Sequence, residues 1–179
     1  MNNDIEKILY NAEDIEKSAV NLGKQISEDY AGKKPILISV LKGAILWTVD
    51  VMRHIEIPLQ LDFIDVSSYY GSTSSQGQID LIHGLTLDVN NRDVLIMEDI
   101  VETGRTLKYL INYLNKRKAK SIKVCTLLDK KEPREIDVDA DYVGFNVPNE
   151  FVVGYGLDYK GYYRNLPYIG VLKPSVYKK

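Results

Sequence analysis

The chain has 179 residues, 45% of them hydrophobic and 27% charged, with a formal net charge of -2 and one cysteine, Cys125. That length fits one domain able to bury a core without cross-links. The charge excludes a global attraction to nucleic acid or anionic membrane, and the lone cysteine excludes an intramolecular disulfide or a thiolate metal cluster. No apolar stretch approaches the ~20 residues of a membrane span and no basic, apolar leader opens the chain, so a cytoplasmic protein is expected. Thirteen tyrosines stand against three phenylalanines, a bias with no functional reading at this level.

In chain order, Ala12, Ile15, Ala19, Leu22 and Ile26 recur at helical spacing and predict an amphipathic helix over roughly the second half of residues 4–30. Gly32 and Pro35 end it. Ile36 to Leu41 is an apolar run of strand length, broken by Lys42-Gly43, and Ala44 to His54 reads as a helix. Leu59 to Val66 alternates as a strand does. From Ser67 to Gly84 the composition turns polar without an apolar face, which predicts a long loop of the kind that serves as a lid. Ile79 to Leu87 reads as a short strand pair.

The next segment, Asp93 to Thr106, is the most informative. Val94 to Met97 predicts a buried parallel strand. Glu98 and Asp99 follow, then a small polar turn from Glu102 to Thr106, and then Leu107, Leu110, Ile111 and Leu114 at helical spacing. In an open α/β sheet, ligands bind outside the carboxyl ends of the strands. Backbone N–H groups of such a turn, backed by a helix N-terminus, suit a phosphate. The paired acids suit hydroxyl groups or a cation-bearing ligand. The basic cluster Lys116-Arg117-Lys118 complements the helix C-terminus. Ile122 to Leu128, Tyr142 to Val147 and Phe151 to Leu157 predict further strands.

Alternating strands and helices up to about residue 128 predict an α/β fold with a central parallel sheet flanked by helices. The whole chain reads as a single domain with a core over about 30–145. A small hood from about 1–20 and 146–179 would cap the carboxyl edge of the sheet.

Acids after a strand also occur in receiver domains and in Rossmann-type methyltransferases, but neither predicts Thr-Gly-Arg-Thr entering a helix. Glu-Asp-Ile-Val-Glu-Thr-Gly-Arg-Thr after Val-Leu-Ile-Met resembles the phosphoribosyl-pyrophosphate signature of the type I phosphoribosyltransferases. Leu41-Lys42-Gly43, Ser68-Tyr69, Lys130 with Pro133-Arg134, and Phe151 to Tyr159 with Arg164 are similar to the hypoxanthine-guanine phosphoribosyltransferase family. The likeness runs over about residues 5 to 170.

That resemblance implies transfer of a phosphoribosyl group from 5-phosphoribosyl 1-pyrophosphate to a 6-oxopurine, hypoxanthine or guanine, with Mg²⁺ as cofactor. It implies that Thr103, Gly104, Arg105 and Thr106 cradle the 5′-phosphate. Glu98 and Asp99 would hold the ribose hydroxyls, directly or through the metal, with Asp158 as a further metal-binding acid. Arg164 and the backbone of Lys42 and Gly43 would take the pyrophosphate, the Leu41–Lys42 peptide being able to adopt the cis form. Phe151 would stack on the base, the backbone of Val152 would read its edge, and Lys130 would donate to its 6-oxo group. Ser68 and Tyr69 would open a closing lid. A homodimer or homotetramer is implied, with no nucleic-acid or membrane partner.

One departure stands out. Most relatives carry aspartate where this chain has Glu102, the acid placed to take the proton of the base. Glutamate keeps the carboxylate and adds about 1.5 Å of reach. Arg105 also occurs in the related pyrimidine-operon regulators, which bind RNA and retain uracil phosphoribosyltransferase activity. Such a regulator, or a homologue weakened in catalysis by Glu102, is therefore a competing expectation.

Overall fold

The computed structural model of the protein describes residues 1–68 and 79–178. In chain order its elements are β1 (Ile5–Tyr10), α1 (Ala12–Asp29), β2 (Ile36–Leu41), α2 (Ile45–Met52), β3 (Gln60–Ser68), β4 (Ile79–His83), β5 (Asp93–Val101), α3 (Arg105–Lys116), β6 (Ser121–Asp129), β7 (Tyr142–Asn146), β8 (Val152–Val153), β9 (Ile169–Leu172) and the short α4 (Pro174–Tyr177). Among the described residues the strands form a six-stranded sheet in the order β4-β3-β2-β5-β6-β7 and a three-stranded sheet in the order β1-β9-β8. In the larger sheet β2, β3, β5, β6 and β7 run parallel, and β4 alone is antiparallel, at one edge.

The central strands are apolar on both faces because helices cover both. Leu37, Leu95, Met97, Cys125 and Leu127 point to the side of α1 and α2, where Ile15, Ala19, Ile26, Trp47 and Val51 meet them. Ile36, Ile38, Val94, Ile96 and Val124 point to the other side and pack on Leu107, Leu110 and Leu114 of α3. The period of two in a strand sorts these residues into the two layers. Helix α1 begins at a reciprocal cap: the Asp14 N–H donates to Asn11 Oδ1 and the Asn11 N–H to Asp14 Oδ2, each at 3.0 Å. Cys125 is a core residue, and burial pushes its thiol up to about 12.

The small sheet is antiparallel and joins the two ends of the chain. Ile169, Val171 and Val152 extend the layer that α1 and α2 cover, so the two sheets share a core. Much of the tyrosine content lies in ties between segments far apart in sequence. Tyr142 donates to Asp29 at 2.6 Å, Tyr163 to Asp4 at 3.0 Å, Tyr10 to the Asn146 carbonyl at 2.9 Å, and Tyr155 to Asp50. Each phenol lays its ring on apolar surface and delivers its hydroxyl to an acceptor at the rim.

Some sequence expectations change. Ile5–Tyr10 is a strand, and of the N-terminal segment only this strand joins the small sheet, since Ile15 and Ala19 of α1 pack in the main core. The expected strand pair after residue 79 is one strand, β4. The expected loop from Ser67 is strand at both ends, because β3 continues to Ser68 and β4 begins at Ile79. Residues 69–78, including Tyr69, lie outside the described residues. The expected strand over Phe151–Leu157 is only two residues long. It then folds on itself, Gly154 and Leu157 pairing as an isolated bridge.

The crossing from β4 back to β5 is held by Asp62 of β3. Its Oδ2 accepts from the N–H groups of Thr86 and Leu87, both at 2.8 Å, and its Oδ1 from Phe63 N–H at 2.9 Å and the Thr86 hydroxyl at 3.1 Å. Burial disfavours the charge, but these donors outweigh it and hold the carboxyl below its ordinary value. An amide at this position turns two N–H donors toward other donors. Asp62→Asn is therefore expected to destabilise the fold by about 1–3 kcal/mol in urea unfolding at pH 7. Because the folded carboxyl is depressed, its contribution is present above the ordinary carboxylate value and is lost as pH falls through the folded one. The gap between wild type and variant should shrink below about pH 4.

Candidate active site

Strands β2 and β5 pair from Ile36–Val94 to Ser39–Met97, while β2 stays paired with β3 as far as Leu41–Asp65. After Met97 the central strands part. The sheet order also reverses here, since β3 and β4 lie on one side of β2 and β5 to β7 on the other. Both features open a crevice at the carboxyl ends of β2 and β5, the usual ligand position in such sheets.

Glu98 and Asp99 stand where the strands part. β5 runs on through Ile100 and Val101, so the acids are strand residues and not the strand end expected from sequence. Glu98 is 5% exposed, and its Oε2 has no hydrogen-bond partner among the described residues. Burial, with the neighbouring Asp99 charge, drives its carboxyl well above the ordinary range. Burial also pushes Asp99 up to about 6, opposed by N–H donors and by the nearby Arg164 charge. The Asp99 carboxylate lies against Gly43, where any Cβ would overlap it. That contact explains the glycine after Lys42. The Leu41–Lys42 peptide is cis.

The turn after β5 places Gly104 at φ 83°, in the left-handed region, as the residue before α3. Only glycine fits, because a Cβ would also meet Ile136 O and Val138 Cγ2 at 2.8 Å. Gly104 at its start offers no side-chain cap to α3; Arg105 N–H reaches Thr103 Oγ1 at 3.4 Å, and a helix start of this kind suits an anion. A cavity of about 190 Å³ sits in front of the turn, lined by Glu98 to Gly104 together with Thr106 and Leu107. Arg105 does not line it; its guanidinium is paired with Glu135 at 2.5 Å.

A second cavity, of about 210 Å³, shares Asp99, Ile100 and Glu102 with the first and adds Lys130, Phe151, Val152, Leu157 and Asp158. Lys130, at the end of β6, is 5% exposed. Its ammonium forms an ion pair with Glu102 and donates to the Glu150 carbonyl at 3.0 Å. Phe151 stacks on Tyr177 of α4 at 4.9 Å and meets the edge of Tyr159 at 5.6 Å. Tyr159 closes the family-like segment from Phe151 without an assigned role, and Tyr177 lies in no motif that sequence reading could have singled out.

Across the crevice, Asp158 pairs with Arg164 at 2.6 Å and accepts from Gly161 N–H at 2.7 Å, while Arg164 donates to the Gly156 carbonyl at 2.6 Å. Gly156 packs on the Gly43 carbonyl. Leu41, Lys42, Gly43, Asp158 and Arg164 thus gather beside Asp99. The backbone of Ser68 ends β3, and Tyr69 falls outside the described residues.

Among the described residues no three His, Cys, Asp or Glu side chains converge as a metal cage, so Glu98, Asp99 and Asp158 do not form a complete ligand set. The donors present are hard carboxylate oxygens, one of them unpartnered. They fit Mg²⁺ that takes most of its ligands from water and from the oxygens of a bound substrate.

A family model of the phosphoribosyl transferase domain matches residues 6–160. The chain belongs to that family. It is 49% identical over its whole length to the hypoxanthine-guanine phosphoribosyltransferase of Streptococcus agalactiae, covering 99% of that protein. A solved hypoxanthine phosphoribosyltransferase from Staphylococcus aureus superposes with a TM-score of 0.95 at 48% identity, over 100% of this chain and 97% of the other. That of Trypanosoma cruzi, solved as a ternary substrates complex, gives 0.91 at 40% identity, over 98% and 99%. Within the phosphoribosyltransferases, the chain belongs with the hypoxanthine-guanine enzymes.

The acid pair, Glu98 buried and Asp99 half-buried, makes the ligand-free protein sensitive to pH. A carboxyl raised in the folded state stabilises below its unfolded value, and that stability is lost as pH rises through the folded one. For Asp99 the window lies between the ordinary 3.8 and about 6. Asp99→Asn should therefore raise the ligand-free Tm by a few degrees at pH 8. It should give no gain at pH 4, as read by calorimetry across that range.

Proposed function

We propose that the protein is a purine-salvage enzyme that transfers the 5-phosphoribosyl group of 5-phosphoribosyl 1-pyrophosphate to hypoxanthine, guanine or both, giving IMP or GMP and pyrophosphate. The observation that carries this reading is the pair of cavities joined along Asp99, Ile100 and Glu102. One is walled by a phosphate-type turn. The other is walled by Phe151 and Lys130. A ribose spanning the shared wall places its anomeric carbon between them.

In this reading the 5′-phosphate accepts from the turn N–H groups and from the hydroxyls of Thr103 and Thr106, with Arg105 supporting the turn from outside. Glu98 and Asp99 accept from the ribose 2′- and 3′-hydroxyls and favour the positive charge that grows on the ring. Phe151 stacks on the base, Val152 meets its edge through the backbone, and Lys130 donates to the 6-oxo group. The base nitrogen forms the new bond to the anomeric carbon as the bond to pyrophosphate breaks, the electron pair leaving with pyrophosphate. The base's proton goes to Glu102. Arg164 and the Lys42–Gly43 backbone hold the leaving group. Glu98, Asp99 and Asp158 would hold Mg²⁺ together with substrate oxygens, and the ion would supply charge neutralisation to the pyrophosphate.

We further infer a cytoplasmic enzyme; among the described residues no helix is long and apolar enough to cross a membrane. The exposed row Ile45, Leu46 and Val49 on α2 supports self-association as a homodimer or homotetramer. Leu46→Glu should shift the sedimentation coefficient to that of a monomer. An unchanged assembly would place the interface elsewhere.

Pyrophosphate release tests the activity. Hypoxanthine or guanine should support turnover with phosphoribosyl pyrophosphate and Mg²⁺, and adenine and uracil should not. Turnover of uracil alone would favour the regulator reading instead, which the formal net charge of -2 and the engagement of Arg105 by Glu135 already disfavour. Glu102→Gln removes the proton acceptor and should lower kcat by about 10²–10⁴-fold. Glu102→Asp shortens the reach to Lys130 and should lower KM for the base by roughly threefold or more, with kcat kept within about tenfold. A large rise in kcat would instead mean that Glu102 is misplaced for catalysis and would support the weakened-homologue reading.

A further inference from the structure

The segment between β6 and β7 braces the phosphate turn from behind. Arg134 is 14% exposed in its side chain, and its guanidinium faces several acceptors at once. Nε donates to the Glu102 carbonyl at 2.8 Å and Nη2 to the Val101 carbonyl at 3.3 Å. Nη1 donates to the Val138 carbonyl and Nη2 to the buried carboxylate of Asp129. The next residues continue the pattern with main chain, since Glu135 and Ile136 both donate their N–H groups to the Thr103 carbonyl at 3.0 Å. The consecutive carbonyls of Val101, Glu102 and Thr103 are therefore all engaged from this segment.

Peptide geometry gives this arrangement a consequence. In a planar trans peptide the carbonyl and the following N–H point to opposite sides. Fixing the carbonyls of Glu102 and Thr103 toward Arg134 and Ile136 turns the N–H groups of Thr103 and Gly104 the other way, toward the cavity that these residues line. The carbonyl of Gly104 is taken by Lys108 N–H at 2.9 Å, inside α3. The same guanidinium ties the turn to the strand end that carries Lys130, because Val101 O also accepts from Lys130 N–H at 2.9 Å.

We propose that Arg134 is a positioning residue of the anion cradle: by holding the carbonyls of Val101 and Glu102 it presets the N–H groups that bind phosphate. The proposal rests on the reading of that turn as the 5′-phosphate site. Only a planar fork with several fixed donors serves this purpose; a lysine offers one compact charge. Arg134→Lys keeps a cation beside Asp129 but releases the carbonyls.

In steady-state kinetics Arg134→Lys should raise KM for phosphoribosyl pyrophosphate by about tenfold or more, and KM for hypoxanthine by less than about threefold. An unchanged KM for phosphoribosyl pyrophosphate overturns the proposal, whatever happens to Tm. With Arg134→Ala, millimolar guanidinium ion should restore KM toward the wild-type value. An equal response to sodium chloride overturns it. Turnover by the wild type tests the underlying reading separately. Inorganic phosphate gives a readout independent of turnover: it should shift the amide resonances of Thr103 and Gly104 in the wild type and require about tenfold more ligand in Arg134→Lys. Equal titrations in the two proteins refute the positioning role.

Discussion

The site depends on two adjacent carboxylates in the central strand of the sheet, Glu98 buried and Asp99 half-buried. Glu98 and Asp99 occupy positions that in a closed sheet would be apolar, and they are there because β2 and β5 cease to pair after Ser39 and Met97. The chain keeps Glu98 out of water without giving its Oε2 a partner among the described residues. The charged forms of the pair are consequently disfavoured until something supplies donors or positive charge. The packed layers on either face of β5 make this tolerable, since they fix the backbone on which the acids ride.

From that strand the rest of the site follows with little freedom. Asp99, Ile100 and Glu102 wall both cavities. The spacing between the phosphate turn and the aromatic pocket is thus set by a few residues of nearly extended chain, at about 3.3 Å each. The small sheet completes the second cavity with Phe151 and Val152. It is attached through a shared core and through directional tyrosine bonds, so the aromatic wall is fixed relative to the acids and not carried on a separate body.

Much of this was legible in the sequence because it is local. The apolar runs of β2, β5 and β6, the amphipathic period of α3 and the Glu-Asp…Thr-Gly-Arg-Thr spacing are properties of neighbouring residues. What escaped was non-local. β1 and β9 are short strands that gain their partners only when the chain ends meet, and neither has a pattern longer than a few residues. The Phe151–Leu157 run reads as a strand, yet Gly154 and Gly156 turn it back after two paired residues. Arg134 stood in the sequence only beside Pro133 in a family-like segment, without a role, and its contacts come from the carbonyls that tertiary folding brings to it. The tyrosine excess was visible as composition, but its acceptors lie on distant segments.

The ion pair between Glu102 and Lys130 has a consequence for selection. In the free protein each group is the other's counterion, and the Lys130 ammonium also donates to the Glu150 carbonyl. On the proposed reading, a base that enters between them would offer an acceptor to the ammonium and a donor to the carboxylate together. A 6-oxopurine carries both on one edge. A 6-aminopurine would, on the same reading, turn a donor toward the Lys130 ammonium, an arrangement less favourable than the protein's own salt bridge. The pocket would then refuse such a base by competition with a contact made within the chain itself.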